Sequence, residues 1–281
     1  MAPHPTRSVR PLARRTLGLL FITVTLTAAA AAAVAGIGQT PTTREALPTA
    51  EKVIEDYINA IGGRAAKEKF KSRRILGQRA IPAGGGRTAR QPFARYEAPP
   101  GKMYFRVGDS DTGTTDGVAW EISPRAPGPR ILKGVERAAV LRWATFNFEQ
   151  HWKELYTSLK CDGIEDLDGK MAYRIVMTPK EGRPEIRYFD AETKLLVGER
   201  LLHTTVKGEI PIAIGYDQYK EVDGVLYPHR IAQRYPRGLQ VFEIESIEHD
   251  AELPKDRFEL PDVIRVLIER DKKKSAASSK G

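Results

Sequence analysis

A single cysteine, Cys161, among 281 residues leaves no internal disulfide to form, so a core must supply the stability that cross-links cannot. The short signatures of common active sites are missing as well. The sequence has no HExxH, no GxSxG, no Walker phosphate loop and no GxGxxG after a strand. Gly84-Gly85-Gly86 lies between Pro82 and Pro92 with no helix pattern after it, which reads as a loop. Metal-ligand spacing is equally scarce. Only HWKE, with His151 and Glu154 one helical turn apart, offers a short-range ligand pair, and it reads as the surface of a helix. Cys161 has no activating neighbours and reads as a small apolar residue near a strand start. Zincin, serine-hydrolase and dinucleotide chemistry are therefore not expected, and no cofactor or metal is implied.

Acidic charge is scarce where basic charge is densest. The formal net charge is +9, but Arg7, Arg10, Arg14 and Arg15 carry four of those charges with no acid in the first 35 residues. The end, RDKKKSAASSKG, sets five basic residues against Asp271 alone. What remains for the body is close to neutral, which argues against nucleic acid as a partner. Residues 266–281 read as a basic, disordered tail able to make transient contact with an anionic membrane surface.

The arginines at the start precede TLGLLFITVTLTAAAAAAVAGIG, which contains the small-residue site Ala33-Val34-Ala35. Residues 1–35 read as a secretory signal cleaved before Gly36; the alternative is an uncleaved anchor, because the apolar run is long enough to span a bilayer. Residues 36–48, rich in Thr and Pro, read as a linker.

Beyond the linker the patterns become regular. In TAEKVIEDYINAIGG, Ala50, Val53, Ile54, Tyr57, Ile58 and Ile61 share one helical face, with Thr49 placed to cap the start and Gly62-Gly63 to end it. Alternating runs follow: MYFRV, VAWEI, KMAYRIVMTP and VLYPHRIAQRY. Three of them come directly after Asp-Gly pairs, at Asp116-Gly117, Asp168-Gly169 and Asp223-Gly224, which favours an antiparallel meander. Asp190 and Glu192, in YFDAETKLLVGERL, look like a carboxylate pair, yet strand-like runs flank them on both sides. A hairpin turn is the expected reading, since a catalytic dyad needs a buried concave setting.

Between residues 130 and 160 the pattern changes to a helical one, with Trp152, Leu155, Tyr156 and Leu159 on one face. The expected fold is α+β: a strongly curved antiparallel sheet, an incomplete β-barrel, closed by an N-terminal helix and a mid-chain helical lid. The domain spans residues 49–265. Its candidate ligand-binding residues are Met103, Phe105, Trp120, Ile122, Tyr173, Ile175 and Met177 on the sheet's inner face. Trp143, Phe146, Phe148 and Trp152 would come from the lid. Such an apolar cavity suits an acyl chain.

Five motifs in order, EAPPGKMYFRV, TDGVAWEISP, YFDAETKLLVGERL, YKEVDGVLYPHRI and DRFELP, resemble those of the outer-membrane lipoprotein-sorting, LolA/LolB-like superfamily, closest to an exported branch of it. The resemblance covers residues 49–262. It implies a non-catalytic periplasmic carrier that binds a lipid or lipoprotein acyl chain and meets inner- or outer-membrane partner proteins. A periplasmic interaction or envelope-stress sensor module of the same fold is the alternative. On that resemblance, Pro99 to Phe105 would form an early barrel strand with its approach, Asp116, Gly117 and Trp120 the next hairpin, Val135 to Leu159 the lid, and Phe258 and Pro261 the closure. One position departs. The carriers have an arginine just before the Pro-Gly of the first motif, tying lid to barrel, whereas Pro99 stands here with Arg95 and Arg106 nearby.

Overall fold

The Thr49 side chain accepts from the Lys52 amide at 3.2 Å and starts α1 (Ala50–Ala60) at the expected residue. Ala50, Val53, Ile54 and Ile58 are its buried stripe, and each of the three larger side chains contributes about 1.5–3 kcal/mol on burial. The helix stops at Gly62, whose φ of +114° no side chain accepts readily, and where an added Cβ would collide with the Gly224 carbonyl oxygen. A short helix, α2 (Gly63–Glu68), follows. The computed structural model describes residues 46–124, 126–205 and 208–278. The export segment read at residues 1–35 and most of the linker lie outside them.

Six strands come next: β1 (Arg73–Pro82), β2 (Thr88–Ala98), β3 (Lys102–Val107), β4 (Ser110–Thr115), β5 (Val118–Ile122) and β6 (Arg130–Ile131). Seven more come later: β7 (Tyr156–Leu167), β8 (Lys170–Pro179), β9 (Glu185–Asp190), β10 (Leu196–Thr205), β11 (Gly208–Val222), β12 (Val225–Tyr235) and β13 (Gly238–His249). They form one antiparallel sheet in which consecutive strands pair within β1–β6 and within β7–β13, and β1 pairs with β13 to join the two halves. The Asp-Gly pairs make two-residue hairpins, with positive φ at both positions of Asp116-Gly117, Asp168-Gly169 and Asp223-Gly224. Asp190 also sits in a turn. Its Oδ1 accepts from the amides of Glu192 at 2.9 Å and Thr193 at 2.7 Å.

The free edges are β6 and β7, and the chain between them carries α3 (Gly134–Ala144), a 3₁₀ turn (Phe148–His151) and α4 (Trp152–Leu155). These helices must therefore cross the opening of the sheet. α3 touches β4 and β5 on one side and β10 on the other. Laid flat, β5 and β10 would be about 38 Å apart at ~4.8 Å per strand, while eleven helical residues span only about 16 Å. The sheet is curved into an incomplete barrel, as expected.

Two expectations are corrected. Tyr156 and Leu159 belong to β7, because a ladder to β8, with Tyr156 opposite Pro179 and Leu159 opposite Met177, overrides eight residues of helical spacing. The basic tail is ordered through residue 278 as part of α5 (Asp262–Ser278). Ile264 is fully buried, Leu267 and Ile268 are half-buried beside it at helical spacing, and Lys133 Nζ meets Asp271 at 2.8 Å. Residues 250–261 lead to this helix, with Phe258 O accepting from the Thr115 hydroxyl and Arg257 lying 4.5 Å from the Tyr96 ring and 4.9 Å from Tyr104.

Candidate functional site

Cross-strand partners share a face, so register divides the sheet into an inner and an outer surface. Met103 opposes Glu97 and Thr114, and Phe105 opposes Arg95 and Thr112, which is the inner row. Trp120 opposes Gly113, which opposes Tyr104, and this is the outer row. Trp120 and Ile122 therefore do not line the inner face. Alternation within VAWEI put them on one side correctly, but it carries no information on which side. Trp120 is buried on the outside, 6.2 Å from the Tyr104 ring and above Gly113, where an added Cβ would strike the indole.

The other candidates separate into two groups. Trp152, Tyr173, Ile175 and Met177 pack against α1 together with Phe189 and Leu196, a filled core. Phe105 joins Phe93, Val107 and Phe242, residues not anticipated, in a second patch flanked by Ile75, Ile231 and Ile244. Phe93 and Phe242 meet edge to face at 5.3 Å. Trp143 of α3 stands edge-on to Phe105 at 5.4 Å and is 37% exposed. Of the expected set, Phe105 and Trp143 thus come together at the inner apolar patch under α3, while Met103 shares the inner row of Phe105, two residues along β3, without joining that patch.

Phe146 and Phe148 lead to what the sequence reading missed, two buried ion networks. Beside Phe146, Arg73 donates to Glu97 at 2.7 Å and to the Tyr227 hydroxyl at 3.0 Å. Arg95 also pairs with Glu97, and Lys67 pairs with Glu149. Burial alone would push the Glu97 carboxyl up, but Arg73 and Arg95 hold it below its ordinary range. Burial, reinforced by Arg73, drives Lys67 well below its ordinary value.

Beside Phe148, Arg187 donates to the Tyr156 hydroxyl at 2.9 Å and to Glu199 at 3.4 Å. Tyr156 and Tyr216 donate to Glu185 and Glu199 at 2.9 and 2.8 Å, and Arg142 of α3 pairs with Glu185. Burial pushes the Glu199 carboxyl up against the pull of Arg187. One signal for these networks was present in the sequence: Arg95 and Glu97, like Glu185 and Arg187, are two apart in strands and so share a face.

Polar ties hold α3 in place. Arg95 donates to Trp143 O at 3.0 Å, Arg137 to Gly117 O at 2.7 Å, and Arg142 reaches Glu185. Arg106 is occupied on the other face by Asp111 at 2.7 Å, which leaves Arg95 as the arginine joining β2 to the helix. Only Ala144 of α3 is buried.

His151 and Glu154 are exposed and 3.9 Å apart, and among the described residues no group of three or more His, Cys, Asp or Glu is placed to hold a metal ion. No helix among the described residues is long and apolar enough to cross a membrane. Two cavities lie away from the inner patch. One, of about 440 Å³, is bordered by Ile186, Leu202, Pro211 and Tyr235; the other, of about 300 Å³, is polar and lies beside Arg257 and the start of α5.

An incomplete antiparallel barrel bridged by helices is the LolA-like fold. A LolA superfamily protein from Nitrosomonas europaea has TM-score 0.52 and 12% identity over 76% of this chain and 99% of its own. A DUF1329 family protein from Desulfovibrio piger has TM-score 0.53 and 14% identity, covering 76% and 98%. An outer-membrane lipoprotein-sorting protein domain from Vibrio parahaemolyticus has TM-score 0.52 and 11% identity, covering 75% and 97%. No family model and no curated protein matches the sequence.

Proposed function

We propose that the protein is an exported, non-catalytic periplasmic carrier that shelters a lipid or lipoprotein acyl chain beneath α3 and passes it between membranes. The observation that carries this reading is the way α3 is attached: it crosses the opening beside Phe93, Phe105 and Phe242, yet buries only Ala144 and is held by hydrogen bonds and ion pairs. A cover of that kind can leave an apolar floor without unpacking a hydrophobic stripe. The floor must match much of the roughly 12 kcal/mol that a sixteen-carbon chain gains on leaving water, at about 0.8 kcal/mol per methylene. Aromatic rings in a row do so without the tight fit that would prevent release. The LolA-like fold of solved lipoprotein-sorting and LolA superfamily structures supports the same reading.

Native mass spectrometry of residues 36–281, purified from an exporting host without detergent, tests it. A mass increment matching a lipid, lost on organic extraction, is expected; an apo mass with no uptake of added lipid would overturn the carrier.

An interaction module is the second reading, and the apolar outer cavity with Leu202 42% exposed favours it. Strand addition at the β7 edge is the weaker route for such a module. That edge is interrupted by irregularities at Tyr156/Ser158 and Cys161/Gly163 and carries Lys160, Asp162 and Glu165. An apo mass together with capture of a periplasmic segment that Leu202→Asp abolishes would favour this reading.

A further inference from the structure

The two buried networks differ in one respect. In the network around Arg187, two arginines face two glutamates, Glu185 and Glu199. In the network around Glu97, Lys67 and Glu149 pair with each other, and two guanidiniums, Arg73 and Arg95, share Glu97 alone. Tyr227 and Asn147 complete the hydrogen bonds of Arg73 without adding charge. One positive charge is left over in a place poor in water, and such a charge is costly unless an anion meets it.

Geometry places the surplus on Arg95. Lys67 and Arg73 are 1% and 9% exposed at their side chains, while Arg95 is 18% exposed and lies under the half-exposed Trp143. Its Nη2 is shared between Glu97 and Trp143 O, and its Nε is buried with no hydrogen-bond partner. A buried N–H in that position is a donor without an acceptor. Burial, with repulsion from Arg73, also lowers the proton affinity of Arg95, although Glu97 opposes it.

Arg95 stands at the border of the apolar patch. It is the cross-strand neighbour of Phe105, and Phe93 is two residues along the same strand on the same face. We propose that Arg95 is the headgroup subsite of the acyl face, where the carboxylate of a single-chain fatty acid replaces Trp143 on the guanidinium while the chain lies along Phe105, Phe93 and Phe242. The inference rests on the acyl-carrier reading and adds that the ligand is an anion. The Arg95 side chain keeps its bond to Glu97, so the carboxylate neutralises the leftover charge and supplies the missing acceptor. An acyl ester, with no charge, supplies neither.

The test compares 11-(dansylamino)undecanoic acid with its methyl ester by fluorescence titration of purified residues 36–281. Wild type is expected to bind the acid on the order of 10- to 100-fold more tightly than the ester, the range of a charge-assisted hydrogen bond. Arg95→Gln is expected to bring the acid down to the affinity of the ester while leaving the ester unchanged. Arg106→Gln, on the opposite face, is expected to change neither. Equal binding of acid and ester by wild type would overturn the anion subsite and leave the acyl face standing, and that comparison needs no variant to fold. Binding of neither probe would overturn both.

Discussion

Arg95 of β2 holds Trp143 of α3 twice, by a hydrogen bond to its carbonyl oxygen at 3.0 Å and by its guanidinium 4.1 Å from the indole. The same indole stands edge-on to Phe105. One side chain thus links the cover, the ion network and the apolar floor.

Removing that side chain should loosen the cover more than the fold. Trp143→Ala is expected to cost about 1–2 kcal/mol of stability, the range of a partly exposed cation–π contact and one aromatic pair. A bound acyl probe should leave about tenfold faster. Stopped-flow release against vesicles, alongside urea unfolding, measures both. An unchanged release rate would mean that α3 does not gate the floor.

The aromatic residues of the two faces should behave differently. Phe105→Asp is expected to eliminate acyl-probe binding, because it sets a carboxylate among Phe93, Val107 and Phe242. Trp120→Ala, on the outer face, should cost about 3 kcal/mol or more through the cavity it leaves, while the molecules that remain folded bind the probe as wild type does. Near-UV circular dichroism gives the folded fraction for the correction.

These two positions also mark what the sequence could and could not reveal. Hairpins at the Asp-Gly pairs and the start of α1 at Thr49 were readable because the turn and cap chemistry is local. So was the alternation that puts Met103 with Phe105 and Trp120 with Ile122. The side of the sheet on which each row falls depends on the curvature and on where residues 250–278 cross the surface, and no window of the sequence contains that. The helical spacing from Trp152 to Leu159 was genuine but short, and pairing with β8 decided the matter. The buried charges were hidden for a different reason. Arg, Lys and Glu are read as solvated by default, and only the barrel brings Lys67 to Glu149 and Arg73 to Glu97.

The Lys67–Glu149 pair should be costly to break from one side. Glu149→Gln leaves the Lys67 amino group 1% exposed with no carboxylate on it, and a loss of about 3–5 kcal/mol is expected. The double change Lys67→Met with Glu149→Leu should recover most of that, since neither charge is then buried. Guanidinium unfolding of the three proteins gives the cycle. Equal losses in the single and double variants would show that packing, not the unpaired charge, sets the cost.

The turn at Asp190 gives a pH dependence with a definite sign. Burial opposes the carboxylate there, but the amides of Thr193 and Glu192 and the Thr193 hydroxyl hold Asp190 below its ordinary range. A carboxyl whose folded pKa is depressed contributes stability that is complete above its unfolded value, near 3.9, and that is lost as pH falls through the folded value. Asp190→Asn is therefore expected to be about 1–2 kcal/mol less stable than wild type at pH 7, with the gap closing only below about pH 4. Glu192→Ala, exposed in the same turn, should stay within about 0.5 kcal/mol of wild type throughout. Urea unfolding from pH 7 down to acid distinguishes the two. A gap at Asp190 that stays constant through pH 3 would mean that the carboxylate charge plays no part in holding the turn.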